Sequence, residues 1–296
     1  MDSIFSPSSP SSSRSMTLED INSKQPLKTA QALIESIDSG EHNDVEIVLD
    51  DGVIKASKLI LSSRSEYFQM MFDKNSQFQE QRQGSVTLQC KKLIMRKILE
   101  HLYGGKLDVS DCTCVEIVEM LNMLRLLLLK DTFDALEDYL KEQLGTRPIK
   151  EVLEAVELAN SMKLEWSMLN LATRLAIDLE EFGESFGTLS SCVVFHILDA
   201  KGCMEKNDEK CFGPRPPSHQ LEKLMFVVKW LVKNPKAESF RIKIPRFFDL
   251  PSFEVEHLLR EVRDSNLFSD KDIFDAVNIV HKKVKEENKQ LKREMS

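Results

Sequence analysis

The stretch DVEIVLDDGVIKASK, Asp44–Lys58, decides the fold of the N-terminal part of this chain. Val45, Ile47 and Leu49 recur at the two-residue period of a strand with one buried face. Asp51-Gly52 is a strong hairpin signal, and Val53-Ile54-Lys55-Ala56 returns as the second strand. Downstream, KLILSSRSEYFQMMF (Lys58–Phe72) is expected as one helix with Leu59, Ile60, Tyr67, Met70 and Met71 as its apolar set. SVTLQC, from Ser85, follows as a third strand with Val86 and Leu88 on one side. Upstream, LKTAQALIESI places Leu27, Ala30, Leu33, Ile34 and Ile37 on one helical face, before Ser39-Gly40 punctuates it. An isolated helix of that length is marginal in water and needs a surface on which to bury its stripe.

Beyond this hairpin region the pattern turns helical. IMRKILEHLYGGKLDV gives a helix ended by Gly104-Gly105. CVEIVEMLNMLRLLLL and DTFDALEDYLKEQL are two amphipathic helices, the second stopped by Gly145. Residues 148–182 read as a helical pair, and GTLSSCVVFHILDAKG as a short helix. The polar loop EKNDEKCFGPRPPSH leads to QLEKLMFVVKWLVKNP, with Leu221, Leu224, Val228 and Leu231 expected on one face. The strands stop near residue 110, so the fold class is α+β first and all-α second.

The totals bound the function. At 296 residues the chain is long enough for about two domains. A net charge of −8 argues against nucleic acid as a partner, since that partner draws a basic patch. The longest apolar run is Leu126–Leu129, far below the ~20 residues of a membrane span, so no membrane partner is expected. Met1–Ser15 lacks the basic start and apolar centre of a secretory leader. Six scattered cysteines then read as reduced thiols, placing the protein in the cytoplasm, the nucleus or both. Residues 1–26 are Ser/Pro-rich and read as a disordered tail.

One residue is out of place. In DKNSQFQEQRQGSV, Asp73–Val86, Phe78 stands alone among polar side chains. A Phe left in water forgoes roughly 1.5–3 kcal/mol of burial. It either folds back onto its own helix, with Glu80 one more solvated acid, or it waits for a partner.

Other motifs carry no chemistry. GESFG, Gly183–Gly187, matches G-x-S-x-G, but a nucleophile elbow needs a strand before Ser185, and the preceding sequence is helical and acidic. Cys112 and Cys114, and the spread of Cys192, His196, Cys203 and Cys211, lack the paired spacing of zinc sites. No phosphate or dinucleotide fingerprint is present, so neither an enzyme nor a cofactor is expected. The C-terminal DIFDAVNIVHKKVKEENKQLKREMS sets Ile273, Val277, Val280, Val284 and Leu291 near heptad positions. It reads as a charged, solvated helix over 276–296, with a short coiled coil between partners as the alternative.

The order helix, hairpin, helix, strand, helix, helix pair resembles the BTB/POZ domain, with SRSEYFQMMF and LYGGKL its more specific pieces. The C-terminal half resembles a BACK domain: FGTLSSCVV, then LEKLMFVVKWL, then RIKIPRFFDLPSFEVEHLLREV. The resemblance implies a BTB/POZ domain over 27–145 and a BACK-like helical domain over 146–275. It implies a homodimer in which the helix of residues 27–38, with Leu27, Ala30, Leu33, Ile34 and Ile37, packs on the other subunit. It also implies a buried charge pair at that interface, on Asp44 and Lys58, with Ser57 standing where the family usually has His.

Members that recruit cullin-3 carry a hydrophobic residue, any residue, then Glu between the second helix and the next strand. Phe78, Gln79 and Glu80 fit that pattern, five residues before Val86, in a loop about two residues longer than usual on its helix side. The helical pair after BTB extends that surface in the family, here within 148–178. The resemblance therefore implies a non-enzymatic adaptor of a cullin-3 RING ubiquitin ligase that recruits a protein substrate. The stretch ends at Ser296 without the Kelch propeller of most such adaptors, which leaves substrate capture to the BACK groove, the 203–219 loop or a tail. The alternative is a BTB oligomerisation scaffold, transcriptional or cytoskeletal, that never meets a cullin.

Overall fold

Alternating burial along Val45–Leu49 is what makes the first strand. In the computed structural model Val45, Ile47 and Leu49 are buried while Glu46 faces water. The structure describes residues 18–73, 84–104, 106–177, 179, 185–207 and 218–294. The expected cullin-binding residues Phe78, Gln79 and Glu80 lie outside them.

The described residues group into two compact units. One runs to Val109 and includes Leu126–Leu129; the other holds Ser110–Arg125 and everything from Lys130.

In the first unit β1 (Val45–Leu49) and β2 (Gly52–Ala56) form the expected antiparallel hairpin, with Ile47 opposite Ile54. β3 (Ser85–Thr87) joins β1 in parallel, Ile47 opposite Val86, giving the order β2-β1-β3. Helix α1 (Leu18–Ser39) precedes the sheet. It begins nine residues before the expected helix, so 18–26 are not part of a disordered tail. The dense Ser/Pro run ends at Ser15, and Leu18, Glu19, Lys24 and Gln25 are good helix formers, with Pro26 the residue of this stretch least suited to a helix interior.

The stretch after the hairpin is two helices, not one: α2 (Lys58–Arg64) and α3 (Glu66–Phe72). The break is Ser65, which takes an extended conformation at φ −135°, ψ 122° and caps α3 by accepting the Phe68 N–H at 3.4 Å. Its hydroxyl also donates to the Leu127 carbonyl at 2.8 Å. Inserting that cap shifts the buried set. Leu61, Phe68 and Met71 are the core residues, while Leu59 is 79% exposed and Met70 54%.

Helix α4 (Lys92–Leu102) buries Ile94, Met95, Ile98 and Leu99 and closes the first unit. It ends at Tyr103, with Gly104 at φ +96°, a conformation glycine adopts without strain. A Cβ on Gly104 would sit 3.4 Å from that of Ala30.

The second unit is helical among its described residues. It comprises α5 (Cys114–Leu126, apart from its last residue), α6 (Lys130–Gln143), α7 (Ile149–Ser161), α8 (Glu165–Ile177), α9 (Ser191–Asn207) and α10 (Ser218–Lys233). α7 and α8 form the expected pair. Arg125 seals their connection by donating to the carbonyls of Met162 and Lys163, which the end of α7 leaves without helical partners. Ser167, fully buried, donates to Glu137 at 2.6 Å and ties α8 to α6.

Along α10 the buried stripe is Leu224, Val227 and Trp230, with Leu221, Val228 and Leu231 half-buried at its margins. The expected face was centred one residue off because it left out Trp230 and Val227, the large residues that reach deepest. Short turns then lead through Glu238–Arg241, Ile244–Phe247 and Leu250–Ser252 to α11 (Asp270–Glu294). α11 starts six residues ahead of the expected 276. Ser269 and Asp272 cap it reciprocally, with the Asp272 N–H on the Ser269 hydroxyl at 3.2 Å and the Ser269 N–H on the Asp272 carboxylate at 3.3 Å.

Candidate interaction surface

The aspartates that flank the hairpin each end at a helix. Asp51 accepts the N–H of Lys92, the first residue of α4, at 2.6 Å. Asp44 accepts the N–H of Lys58, the first residue of α2, at 2.7 Å. First-turn amides have no partner inside their own helix, and a carboxylate there also meets the positive end of the helix dipole. The preceding amide, Ser57 N–H, donates to the Tyr103 hydroxyl at 2.7 Å. Tyr103 is only 2% exposed, and burial is the main reason its phenol is pushed above the ordinary value, with the nearby Asp44 charge adding to it.

This arrangement shows what Asp44 and Lys58 do within one copy. The structure brings Asp44 and Lys58 together, but through the Lys58 backbone, while the ammonium lies 5.6 Å from the Phe72 ring centroid. Asp44 is exposed in the single chain and Lys58 half-buried. The sequence reading took the lysine side chain as the partner. The unpartnered amide at the start of α2 is the nearer claim on the carboxylate.

The face of α1 is divided. Ile37 is buried at 6% and Ala30 seats against Gly104, so the C-terminal part of the helix packs on its own unit. Asp38 and Arg96 clamp it there through two parallel bonds, the one to Nη2 at 2.9 Å. The Arg96 guanidinium holds the Asp38 carboxyl below the usual carboxylate range. Leu33 faces water at 37% exposure and Ile34 is half-buried. Nothing is described of the Leu27 side chain.

Apolar side chains left in water mark where a partner could sit. On the first unit they include Leu33, Leu59 and Met70; Met70 lies on the last turns of α3, just ahead of the segment that carries Phe78. On the second unit Trp166 is 70% exposed in the first turn of α8. The sequence reading named no residue in the helical pair. An aromatic directly after Glu165 at a helix start, off the stripe of Met168, Leu171, Ala172 and Leu175, is the signal that would have found it.

No group of three or more His, Cys, Asp or Glu side chains that could hold a metal occurs among the described residues. Cys90, Cys112 and Cys114 are buried and outside any disulfide, and Cys192 is exposed. Burial pushes the Cys114 thiol up to about 11, which makes it a packing residue, not a nucleophile.

Comparison with known proteins places this geometry. The family model of the BTB/POZ domain matches residues 33–144. The chain is 27% identical over 238 residues to BTB/POZ domain-containing protein 9 of Drosophila melanogaster, covering 80% of this chain and 30% of that protein. It is 25% identical over 194 residues to Kelch repeat and BTB domain-containing protein 1 of Ectromelia virus (strain Moscow), covering 65% of this chain and 31% of the relative. Among solved structures, the BTB domain of zebrafish PATZ1 aligns with a TM-score of 0.33 at 21% identity, over 40% of this chain and 94% of that one. The chain thus spans about 30% of the length of each of these two relatives. It carries an N-terminal BTB/POZ domain, a non-catalytic module of protein–protein interaction, followed by an α-helical domain.

Proposed function

We propose that the protein is a dimeric, substrate-recruiting adaptor of a cullin-3 RING ubiquitin ligase, with its helical domain a BACK-like spacer of the Kelch-like kind. The observation that carries this reading is the exposed Met70 at the end of α3, followed directly by the segment holding Phe78-Gln79-Glu80 inside the BTB/POZ match. An aromatic residue with a carboxylate two positions on, in the chain that follows the exposed Met70, is the composition of an interface hot spot with a polar neighbour to set orientation. Trp166 extends the same logic to the helical pair. The adaptor holds a substrate protein near the loaded ligase and raises the effective concentration of its acceptor lysine. Self-association uses the outward face of α1, with Leu33 and Ile34, and brings Asp44 and Lys58 of two copies together. The scattered cysteines of the sequence support a reducing compartment, cytoplasm or nucleus.

A pull-down with the purified N-terminal region of cullin-3 tests it. Binding that drops sharply for Phe78→Ala with Glu80→Ala, while light scattering still reports a dimer, is the expected result. Unchanged binding in the double variant, or none in the wild type, sinks the adaptor and leaves an oligomerisation scaffold. A monomer at every concentration sinks the self-association.

A further inference from the structure

Helix α11 leaves the cover of its own unit partway along. Ile273 and Ala276 are buried and Val277 and Val280 half-buried. From His281 to Glu286, and again at Lys289 and Gln290, every described side chain is exposed. The helix nevertheless continues to Glu294, so residues 281–294 extend for about 21 Å at 1.5 Å per residue. Such a stretch draws little stability from its own unit, since most helical stability in proteins comes from packing. Lys282, Lys285 and Lys289 stand on one face of it, at i, i+3 and i+7, opposite the seam of Ile273, Val277 and Val280. Asp275 shares that side two turns earlier, and Glu286 stands at the margin of the row. Like charges three and four residues apart on a helix repel one another.

Helix α6 carries the reverse. Leu136 and Leu140 are buried on one side, and Asp131, Asp134 and Asp138 are exposed on the other. Their spacing is again i, i+3 and i+7, with Glu142 exposed one turn further on. Lys130 and Lys141 flank this row and are exposed as well. The buried leucines and the Ser167 hydroxyl on Glu137 at 2.6 Å hold α6 in place with the aspartates outward. The aspartates repel one another as the lysines of α11 do.

We propose that the basic row of α11 docks on the acidic row of α6 in a second copy of this chain. Both rows face water within one copy, and each is the complement the other lacks. Because their spacing agrees in the same chain direction, parallel helices pair Asp131 with Lys282, Asp134 with Lys285 and Asp138 with Lys289 in one register. Antiparallel helices would set a step of three against a step of four and lose the match. Pairing relieves the self-repulsion of both rows at once. Exposed ion pairs are individually weak and screened by salt, so the contact depends on all three and loosens as salt rises. It joins one face to a different face, so it builds rings or chains of copies, not a closed pair. It uses neither α1 nor the segment bearing Phe78 and stands apart from the adaptor reading.

Sedimentation velocity of the full chain at rising protein concentration, in low and in high salt, tests it. The wild type associates in low salt, and that association weakens in high salt. Replacing the basic row (Lys282→Glu, Lys285→Glu, Lys289→Glu) weakens it by about tenfold or more. Replacing the acidic row (Asp131→Lys, Asp134→Lys, Asp138→Lys) does the same. Mixing the two variants restores association, as does one chain carrying both sets, a recovery that a folding defect could not give. A control set on the exposed Lys229, Lys236 and Lys243, each to Glu, shifts the net charge as the basic-row variant does and leaves association unchanged. No salt-weakened association in the wild type overturns the inference. So does unchanged association in either row variant, a mixture that fails to recover, or an equal loss in the control set. The dimer proposed for α1 buries Leu33 and Ile34 and is expected to survive high salt in every variant, so the two contacts are read separately.

Discussion

Replacing Ser65 with alanine removes two bonds from one 2%-exposed hydroxyl. The first is the cap on α3, and at 3.4 Å from Phe68 N it is a long one. An N-cap is worth about 0.5–2 kcal/mol, and this geometry puts it at the low end. The second is the 2.8 Å bond to the Leu127 carbonyl, whose residue is fully buried. Leaving such a carbonyl unpaired costs about 1–3 kcal/mol. Together the expected loss is about 2 kcal/mol, or a fall of about 10 °C in the melting temperature of a unit of this size. Calorimetry of the full chain reads the transition. Hydrogen exchange at the Phe68 amide assigns it to the first unit, because that amide loses its acceptor. Ser65→Thr keeps the hydroxyl and should recover most of the loss. A Ser65→Ala change below about 0.5 kcal/mol, the noise of an ordinary surface substitution, refutes the reasoning, as does a threonine variant as damaged as the alanine one.

Other perturbations follow the same geometry. Tyr103→Phe strips the acceptor from the Ser57 N–H and costs about 1–2 kcal/mol in urea unfolding. Tyr103 itself, held protonated by burial, titrates later than an ordinary phenol. Its contribution is complete below about pH 10 and is lost as pH rises through the folded value, which an ultraviolet titration of wild type against the phenylalanine variant reads. Asp38 behaves oppositely. Its lowered carboxyl adds stability above about pH 4, lost as pH falls through the folded value, and Asp38→Asn should erase that acid limb of the melting curve. In alkylation at mild pH followed by mass spectrometry, the exposed Cys192 reacts in the native state while Cys114, buried and with its thiol raised to about 11, reacts only after unfolding.

The hairpin was legible because its cause is local: alternation, a turn dipeptide and a buried face lie within fifteen residues. The helical pair was legible for the same reason, an apolar period between two stops. The break at Ser65 was hidden because its deciding partner, the Leu127 carbonyl, lies sixty-two positions along the chain, and serine suits both a short helix and a cap. The missing break also put Leu59 and Met70 in the core, although the structure leaves both in water. Asp44 was singled out just ahead of β1, and within one copy its carboxylate goes to the Lys58 amide, a partner that only the placement of α2 discloses. The α10 face was mis-centred because a count of aliphatic residues gave no weight to Trp230, which is buried to 2%.

The parallel pairing of β3 with β1 has a consequence for how this protein can change over evolution. The chain that leaves α3 must return to the near side of β1, and each of its ends is fastened by bonds it does not make itself. Ser65 fixes α3 at one end, and the Glu46 N–H on the Gly84 carbonyl at 2.9 Å fixes the other. Between fixed ends, chain entropy charges only for the logarithm of length, so two extra residues in a dozen cost about 0.2 kcal/mol. Insertions there are nearly neutral to folding. The chain between α3 and β3 can therefore lengthen or shorten while the elements on either side of it stay under separate selection.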